Sequence, residues 1–282
     1  MPRAVAALPD AIRHWDDIAA RLRGRRLVVF LDFDGTLAPI VERPELARLD
    51  AGLRHVIARL AERAWVAIVS GRDRDDVAAR VGLEGVIYAG NHGFDIAGPP
   101  ARPLRHRIGA EFTGALDAAE AELKRRLGDD VTIERKRASI AVHYRRLPEA
   151  RIPALAATVE AVVAGRPELR LKGGKKVFEI VPRLDWDKGR AVLWLLDALG
   201  FERDAAVVIG DDVTDEDAFA AIADKGLVII VDGASERRSA ARYRLEDCAA
   251  VGHLLERVTA LLATPESSAG AALTARVEPE RP

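Results

Sequence analysis

Two aspartates follow a short apolar run near the start of the chain. Residues 27–31 are Leu-Val-Val-Phe-Leu, typical of a strand buried on both faces of a parallel sheet, and Asp32 and Asp34 come directly after them. Gly35 and Thr36 suit a chain that turns away from the sheet. Two carboxylates at one strand end repel each other, and a divalent cation is the usual way to hold them together. An ordinary Asp-Gly turn at a strand end is the alternative interpretation.

A second acidic cluster, consisting of Asp211, Asp212 and Asp215, follows the apolar run 206–209. Acidic residues in a first helical turn complement the helix dipole, which is a sufficient reason for Asp215 but not for Asp211, so close behind a strand. Because parallel strands place their carboxyl ends at one edge of a sheet, both clusters are expected at one site. Oxygen ligands without a histidine pair or clustered cysteines favour magnesium over zinc.

Two more polar signals stand where a strand ends or a helix begins. Ser70, followed by Gly71 and Arg72, comes after the run 66–69, and its hydroxyl and the nearby amides could hold a phosphoryl oxygen. Lys188 opens a predicted helix, and its ammonium could balance carboxylates and phosphate. Taken singly, each has an ordinary interpretation, because serine is a common helix N-cap and an exposed lysine is usually solvated.

The elements that must position these residues alternate between strand and helix. This order predicts an α/β fold with a Rossmann-like parallel sheet and helices on both faces. The predicted strands are 27–31, 66–69, 86–89, 206–209 and 227–231, and the predicted helices are 46–62, 73–81, 188–199 and 215–222.

The middle of the chain has a different pattern, which predicts an inserted α+β cap domain. Its predicted elements are a helix at 111–127, strands at 131–136 and 138–145, a helix at 150–163, and strands at 169–172 and 176–181. The predicted domains are an N-terminal helical segment 1–26, a core of 27–107 and 183–263, a cap of 108–182 and a disordered tail of 264–282.

Composition narrows the class of protein. With 43 Lys+Arg against 44 Asp+Glu, the net charge of −1 argues against a whole-chain nucleic-acid or membrane-surface binder. A single cysteine, Cys248, excludes an intrachain disulfide framework and fits a reducing compartment. The apolar runs are too short for a membrane span, and the N-terminus has no secretory pattern. We expect a cytoplasmic protein with neither a nucleic-acid nor a membrane partner.

Taken together, the motifs resemble those of the haloacid dehalogenase superfamily of phosphohydrolases. They occur in the order Asp-x-Asp-Gly-Thr, Ser-Gly-Arg, Lys-Gly after an insertion, and Gly-Asp-Asp-x-x-Asp, over residues 27–232. The resemblance implies that Asp32 attacks phosphorus and that Asp34 acts as general acid and then general base. It also implies that Ser70 and Lys188 hold the phosphoryl group, and that Thr36 hydrogen-bonds near the nucleophile.

The same resemblance implies a magnesium site. Its ligands would be the Asp32 carboxylate, the backbone carbonyl of Asp34 and the carboxylate of Asp211. Asp212 and Asp215 would act through water or orient the other ligands.

The cap carries charged residues that strand alternation groups by face. It pairs Glu134 with Lys136, His143 with Arg145, and Lys175 with Glu179. Carboxylates and cations on one face suit a sugar, whose hydroxyls both donate and accept hydrogen bonds. From composition alone, a solvated outer face is the commoner interpretation.

The segments FLDFDGTLAPI, AGNHG, ERKxxSIAVHYR, GKKVFEIxP, DKGRAV and GDDVTDEDAF resemble the trehalose-6-phosphate phosphatases. This resemblance implies hydrolysis of trehalose 6-phosphate in trehalose biosynthesis. It also implies that the substrate-binding residues are Arg72, His92, Gly93, Glu134, Lys136, Arg145, Lys175 and Glu179. For His92, a purely structural role in its loop is the alternative.

The alternatives to this function are a phosphatase for another sugar phosphate, a phosphosugar sensor without activity and a kinase. A related sugar phosphatase could act on sucrose 6-phosphate or mannosyl-3-phosphoglycerate. A silent phosphosugar sensor would be marked by loss of Asp32, Asp34 or Asp211, and all three are present. The lack of a GxxxxGK loop argues against an ATP-dependent kinase. We expect a monomer whose coupling to a separate trehalose-phosphate synthase takes place in trans.

Overall fold

The computed structural model describes residues 2–41, 43–128, 131–174, 176–232 and 235–264. The chain divides into two compact units, Met1–Arg105 with Trp186–Pro282, and His106–Asp185. We name them the core and the cap. The predicted boundaries, 107/108 and 182/183, differ from these by two and three residues. Apart from Thr264, the predicted disordered tail lies outside the described residues.

The core is built on a sheet with the strand order β14-β12-β11-β2-β3-β4-β5-β6. The sheet strands are β2 (Val28–Leu31), β3 (Trp65–Val69), β4 (Ile87–Gly90), β5 (Asp95–Ala97), β6 (Arg105–Arg107), β11 (Ala206–Gly210), β12 (Leu227–Val231) and β14 (Tyr243–Leu245). The six strands from β14 to β4 pair in parallel, and β5 runs antiparallel to β4. Strand β6 crosses the boundary between the two units. All five predicted core strands are present, and the three short strands β5, β6 and β14 of this sheet were not predicted.

Helices cover both faces of this sheet, as predicted. The helices of the core are α1 (Trp15–Leu22), α2 (Ala51–Ala61), α3 (Arg74–Val81), α6 (Lys188–Leu199), α7 (Asp215–Ile222) and α8 (Cys248–Leu262). Alternate residues of each strand point to opposite faces, so Val29 and Leu31 pack with α2 and α8, whereas Val28 and Phe30 pack with α6 and α7. Among the described residues, no helix is both long and apolar enough to cross a bilayer.

Helix α2 begins at Ala51, five residues later than the predicted start at 46. The Asp50 carboxylate accepts hydrogen bonds from the backbone N–H groups of Gly52 and Leu53 at 2.8 and 3.1 Å, which caps the first turn. The segment Pro44–Leu46 forms a separate 3-10 turn.

The predicted helical segment 1–26 is helical only in part. Strand β1 (Arg3–Ala4) pairs antiparallel with β13 (Arg238–Ser239), and a 3-10 turn follows before α1 begins at Trp15. Val5 and Leu8 are buried in one core cluster, and Ile18 and Leu22 in the other. The N-terminal segment is therefore part of the core.

The cap has a four-stranded antiparallel sheet in the order β7-β8-β10-β9, with two helices. Its elements are α4 (Thr113–Arg126), β7 (Thr132–Arg135), β8 (Ile140–His143), α5 (Ile152–Ala164), β9 (Leu169–Gly174) and β10 (Val177–Pro182). One face of the sheet supplies Ile140, Val142 and Ile180 to an apolar cluster with the helices. The opposite face carries Glu134, Ala141, Glu179 and Lys172 in one row across the four strands.

Candidate active site

Three neighbouring parallel strands end at the same edge of the core sheet. Strand β2 lies between β11 and β3, and the residues that follow the three strands are Asp32, Asp211 and Ser70. The backbone N–H of Asp32 donates to the Ile209 carbonyl at 3.0 Å, which extends the ladder to the aspartate itself. The sheet thereby brings together motifs that lie up to 179 residues apart in sequence.

Lys188 lies between two of the carboxylates. Its Nζ donates to Asp32 Oδ1 at 2.6 Å and to Asp215 Oδ1 at 2.7 Å. All three side chains are buried, with the lysine side chain only 3% exposed. Asp187 caps helix α6 by accepting from the Arg190 N–H, so Lys188 is held in the first turn. The alternative interpretation, in which Lys188 is exposed and solvated, is therefore wrong.

Asp32, Asp211 and Asp215 form a buried group of carboxylates, with one oxygen from each lying within 4.8 Å of the others. The second oxygen of Asp215 accepts from the backbone N–H groups of Asp211 and Asp212 at 3.1 and 3.0 Å, which fixes the loop that carries them. Such clustered hard oxygen atoms fit a divalent cation such as magnesium. Asp215 also has a structural task, because it orders the motif loop.

Gly35 lets the Asp211 carboxylate approach the first motif. The backbone φ at Gly35 is 90°, and a Cβ there would collide with the Asp211 carboxylate. The turn is closed by hydrogen bonds from the Leu37 and Ala38 N–H groups to the Phe33 carbonyl, both at 2.9 Å. The Gly35 position thus requires glycine for both conformation and space.

The charges in this group shift its titration. Burial raises the pKa of Asp32, the nearby Lys188 ammonium opposes the shift, and the charges of Asp215 and Asp211 add to it. Burial acts to lower the pKa of Lys188, but the two carboxylates that contact it outweigh this effect and raise that pKa. One buried ammonium therefore contacts two members of a group of three carboxylates, and a bound cation would relieve the remaining repulsion.

Asp34 points to a different partner from Asp32. Arg72 grips both of its oxygens, through Nε and Nη2, at 2.6 Å each. The same guanidinium donates to Asp76 at 3.0 Å, and Asp76 in turn pairs with Arg80. The pairing with these carboxylates raises the pKa of Arg72, although burial acts to lower it. The sequence analysis identified Arg72 but missed Asp76, whose i,i+4 spacing from Arg72 was the available signal.

The Ser70 loop is held by the turn that follows β4. The backbone N–H of His92 donates to the Ser70 carbonyl at 2.9 Å, and that of Asn91 donates to the Arg72 carbonyl at 2.7 Å. Asn91 and His92 both have positive φ, 51° and 57°, a rare conformation for residues other than glycine. The His92 ring packs so closely over Gly71 that a Cβ there would contact it. His92 therefore supports the Ser70 loop, the structural role that the sequence left open.

Thr36 is fully buried in the turn after β2, beside Gly35. Gly93 packs against Ala191 of α6, and a Cβ at Gly93 would also approach the Trp186 indole nitrogen. Trp186 itself packs against an apolar cluster of the core.

In the cap, Glu179 lies in the row of residues with Glu134, Ala141 and Lys172, on the sheet face that we name the polar face. Its Oε1 accepts from Lys136 Nζ at 3.2 Å and from Ser139 Oγ at 3.1 Å, and its side chain is only 10% exposed. Farther along the same face, His143 Nε2 lies 2.7 Å from Glu134 Oε2. On this face, Glu179 therefore contacts Lys136, and Glu134 contacts His143. Ser139, which the sequence analysis missed, also contacts Glu179.

Two predicted cap residues differ in status. Strand β8 ends at His143, so Arg145 is in an exposed turn. The prediction that Arg145 shares a strand face with His143 is therefore wrong. The strand ends there because the Leu147 N–H bonds back to the Tyr144 carbonyl at 3.0 Å and closes a turn. Lys175 lies outside the described residues.

Two solved structures share the fold of this chain. A crystal structure of a trehalose-6-phosphate phosphatase related protein superposes with a TM-score of 0.70 and 26% identity, over 83% of this chain and 97% of that one. A haloacid dehalogenase-like hydrolase from Bacteroides thetaiotaomicron gives a TM-score of 0.61 over 83% of this chain and 100% of that one, and at 16% identity it shows the fold alone. The core and cap therefore have the haloacid dehalogenase fold.

Sequence comparison narrows this superfamily to one family. The chain is 40% identical over 265 residues to the trehalose-phosphate phosphatase of Mycobacterium tuberculosis strain H37Rv. The aligned region covers 91% of this chain and 67% of that protein. Residues 30–249 match the trehalose-phosphatase family model. This span includes the Asp32 and Asp211 motifs, Lys188 and the polar face of the cap, and the chain belongs to the trehalose-phosphatase family.

Proposed function

We propose that the protein hydrolyses trehalose 6-phosphate to trehalose and inorganic phosphate through an aspartyl-phosphate on Asp32. The observation that carries the proposal is the contact of Lys188 with Asp32 inside a buried carboxylate group. Membership of the trehalose-phosphatase family supports the same reaction, as does the name of the 40% identical mycobacterial relative.

Asp32 would be the nucleophile. A bond forms between its carboxylate oxygen and phosphorus while the bond from phosphorus to the sugar oxygen breaks, and water later cleaves the aspartyl-phosphate. Lys188, at 2.6 Å from Asp32, would offset the negative charge on the phosphoryl oxygens in the transition state. Ser70 would hold a phosphoryl oxygen through its hydroxyl, and Thr36 would add a hydrogen bond near the nucleophile.

Asp34 would move the protons. It would protonate the departing sugar oxygen and then remove a proton from the attacking water. Because Arg72 grips both oxygens of Asp34, this ion pair must open before the proton moves. Opening would also release the guanidinium toward the substrate phosphate, which is consistent with Arg72 as a substrate-binding residue.

Magnesium is the cation that we propose for the carboxylate group. Asp32, the Asp34 backbone carbonyl and Asp211 would hold it, and Asp212 and Asp215 would act through water or orient the loop. When bound, it would supply positive charge to the phosphoryl oxygens.

The cap would select the sugar. A neutral disaccharide presents hydroxyls that need both acceptors and donors, and the polar face offers the carboxylates of Glu134 and Glu179 beside Lys136. We extend this proposal to Arg145 and Lys175, as the family resemblance implies. His92 and Gly93 would contribute to the site through the loops that they support.

The test is phosphate release from four substrates, with Mg²⁺ or with a chelator. The substrates are trehalose 6-phosphate, sucrose 6-phosphate, glucose 6-phosphate and mannosyl-3-phosphoglycerate. We expect a strong Mg²⁺-dependent preference for trehalose 6-phosphate that Glu179→Ala abolishes. Glu160→Ala, an exposed change on the cap helix α5, is the control and should keep the preference. Equal rates on several sugars would refute the assigned substrate but not the chemistry of Asp32.

A further inference from the structure

The hairpin turn between β7 and β8 is tied to a helix of the cap. The backbone N–H of Lys136 donates to the Ser139 carbonyl at 2.9 Å, which closes the turn. The Arg135 guanidinium donates to the carbonyls of Lys136, Arg137 and Ser139. It also pairs with Asp117 of helix α4 at 3.0 Å. One arginine thus satisfies the carbonyls of the turn and fixes it to the helix.

This turn delivers two donors to a single carboxylate oxygen. Lys136 comes from one side of the turn and Ser139 from the other, and they reach Glu179 Oε1 at 3.2 and 3.1 Å. Ser139 is 2% exposed, so its hydroxyl is almost removed from solvent. A serine hydroxyl has one proton to donate, and here that proton is directed to Glu179.

Glu179 needs such support because it is a buried carboxylate. Burying a charge costs free energy unless hydrogen bonds compensate it, and a glutamate has several rotatable bonds to fix. The lysine supplies charge, but its long side chain reaches Glu179 from many positions. The serine is short, buried and fixed by the turn, so it determines where Oε1 lies.

We propose that Ser139 is a positioning residue for Glu179 and thereby contributes to the preference for trehalose 6-phosphate. The inference rests on the proposed function, because it assumes that Glu179 accepts hydrogen bonds from sugar hydroxyls. Ser139 acts through Glu179, whereas Arg135 and Asp117 hold the turn that carries Ser139.

The experiment compares kcat/KM for trehalose 6-phosphate with kcat/KM for p-nitrophenyl phosphate, which has no sugar, in the full chain with Mg²⁺. For Ser139→Ala we expect this ratio to fall by about tenfold, mainly through a higher KM for trehalose 6-phosphate. Ser139→Cys, which is similar in size but a weak donor, should show a comparable fall without leaving a cavity. Ser239→Ala removes a serine that is equally buried in the core and should leave the ratio unchanged.

A double-mutant cycle separates this inference from the function on which it rests. In a Glu179→Gln background, Ser139→Ala should lower the ratio by less than about twofold, because the two residues act as one unit. If Glu179→Gln lowers the ratio but Ser139→Ala does not, or if the effects simply multiply, the positioning role is wrong. If Glu179→Gln itself leaves the ratio unchanged, the proposed role of the cap fails. Melting temperatures of every variant check that the fold is retained.

Discussion

The core and the cap both carry clusters of opposite charges, but they are built in different ways. In the core, Asp32 follows a buried central strand and Lys188 is the first residue of a capped helix. Their side chains are 7% and 3% exposed. In the cap, the Glu134 and His143 side chains are 49% and 32% exposed on strands of a small sheet. The charged contact in the core is thus almost removed from solvent, whereas the polar face of the cap has a partly exposed contact and a nearly buried contact, the latter between Lys136 and Glu179 at 13% and 10% exposure.

The difference also concerns the balance of charge. The buried core group has three carboxylates around one lysine and so has an excess of negative charge. On the cap face, Glu179 contacts Lys136, and Glu134 contacts the ring of His143. Buried charges in proteins are usually paired or coordinate a metal, so an excess of buried carboxylates fits a site that binds a cation.

The comparison predicts its largest effect at the nucleophile. Asp32→Asn should reduce kcat by about 10⁴-fold or more, because an amide cannot form the aspartyl-phosphate. Phosphate release measures the loss, and circular dichroism checks the fold. Asp50→Asn is the matched control, since asparagine also caps a helix and Asp50 is outside the site. A folded Asp32→Asn protein with near-normal turnover would contradict the assignment.

The next effect concerns stability and pH. Because the pKa of Asp32 is raised, the native state retains a proton that the unfolded state releases, so the contribution of Asp32 to metal-free stability should decrease as pH rises above about 4. Mg²⁺ at about 100 times its Kd should add about 2.7 kcal/mol, or several degrees in Tm. Asp211→Asn removes one repelling charge, so it should raise the Tm of the metal-free protein and abolish the gain from Mg²⁺.

Thermal melting from pH 5 to pH 8, with Mg²⁺ or with a chelator, measures both effects. Asp224→Asn, in the turn after α7, is the control and should respond to Mg²⁺ as the wild type does. An equal Mg²⁺ shift in Asp211→Asn would remove that residue from the cation site.

A smaller effect is expected in the cap. Glu134→Gln removes the carboxylate that lies 2.7 Å from the His143 ring, a contact that is well exposed to solvent. We expect KM for trehalose 6-phosphate to rise about threefold with kcat within about twofold, because the lost interaction belongs to binding rather than to the chemical step. Steady-state kinetics provide the measurement. A large fall in kcat with an unchanged KM would break the distinction between the two regions.

The smallest effect is expected at Cys248, next to the first motif. Burial, together with the charges of Asp211 and Asp247, raises the pKa of its thiol to about 11, and the thiol lies 3.7 Å from the Gly35 carbonyl. At pH 7.5 iodoacetamide should modify it at least about 100-fold more slowly than in urea-unfolded protein, as measured by mass spectrometry. Cys248→Ala should change activity by less than about twofold. Rapid labelling of the native protein would show that the surroundings of the thiol are more open than the structure indicates.

The sequence predicts five strands of the core sheet because each is a continuous apolar run, as in Val28–Leu31, which the Asp32 motif follows. It also predicts α6 and α7 with their observed bounds, since Asp187 and the acidic turn after Thr214 mark their starts. It misses β1 and β13, which are two residues each and exist only through mutual pairing. Such short strands have no periodicity to detect.

Within the site, sequence patterns identify residue types but not their partners. The Asp32 and Asp211 motifs stand out, yet the contact of Lys188 with both Asp32 and Asp215 depends on how α6 packs against the sheet. Ser139 likewise has no signal of its own, because its hydrogen bond to Glu179 joins residues 40 positions apart. Contacts between side chains that are distant in sequence can be identified only from the folded structure, whereas strand ends can be predicted from the sequence.

The pairing of β1 with β13 has a practical consequence for shortened versions of the chain. A protein beginning at residue 27 would keep every motif of the site but would leave β13 without its partner strand. It would also uncover the apolar surface now covered by Val5, Leu8, Ile18 and Leu22, all at most 4% exposed. An unpaired strand edge beside exposed apolar surface promotes aggregation, so soluble expression should require the residues ahead of the first motif.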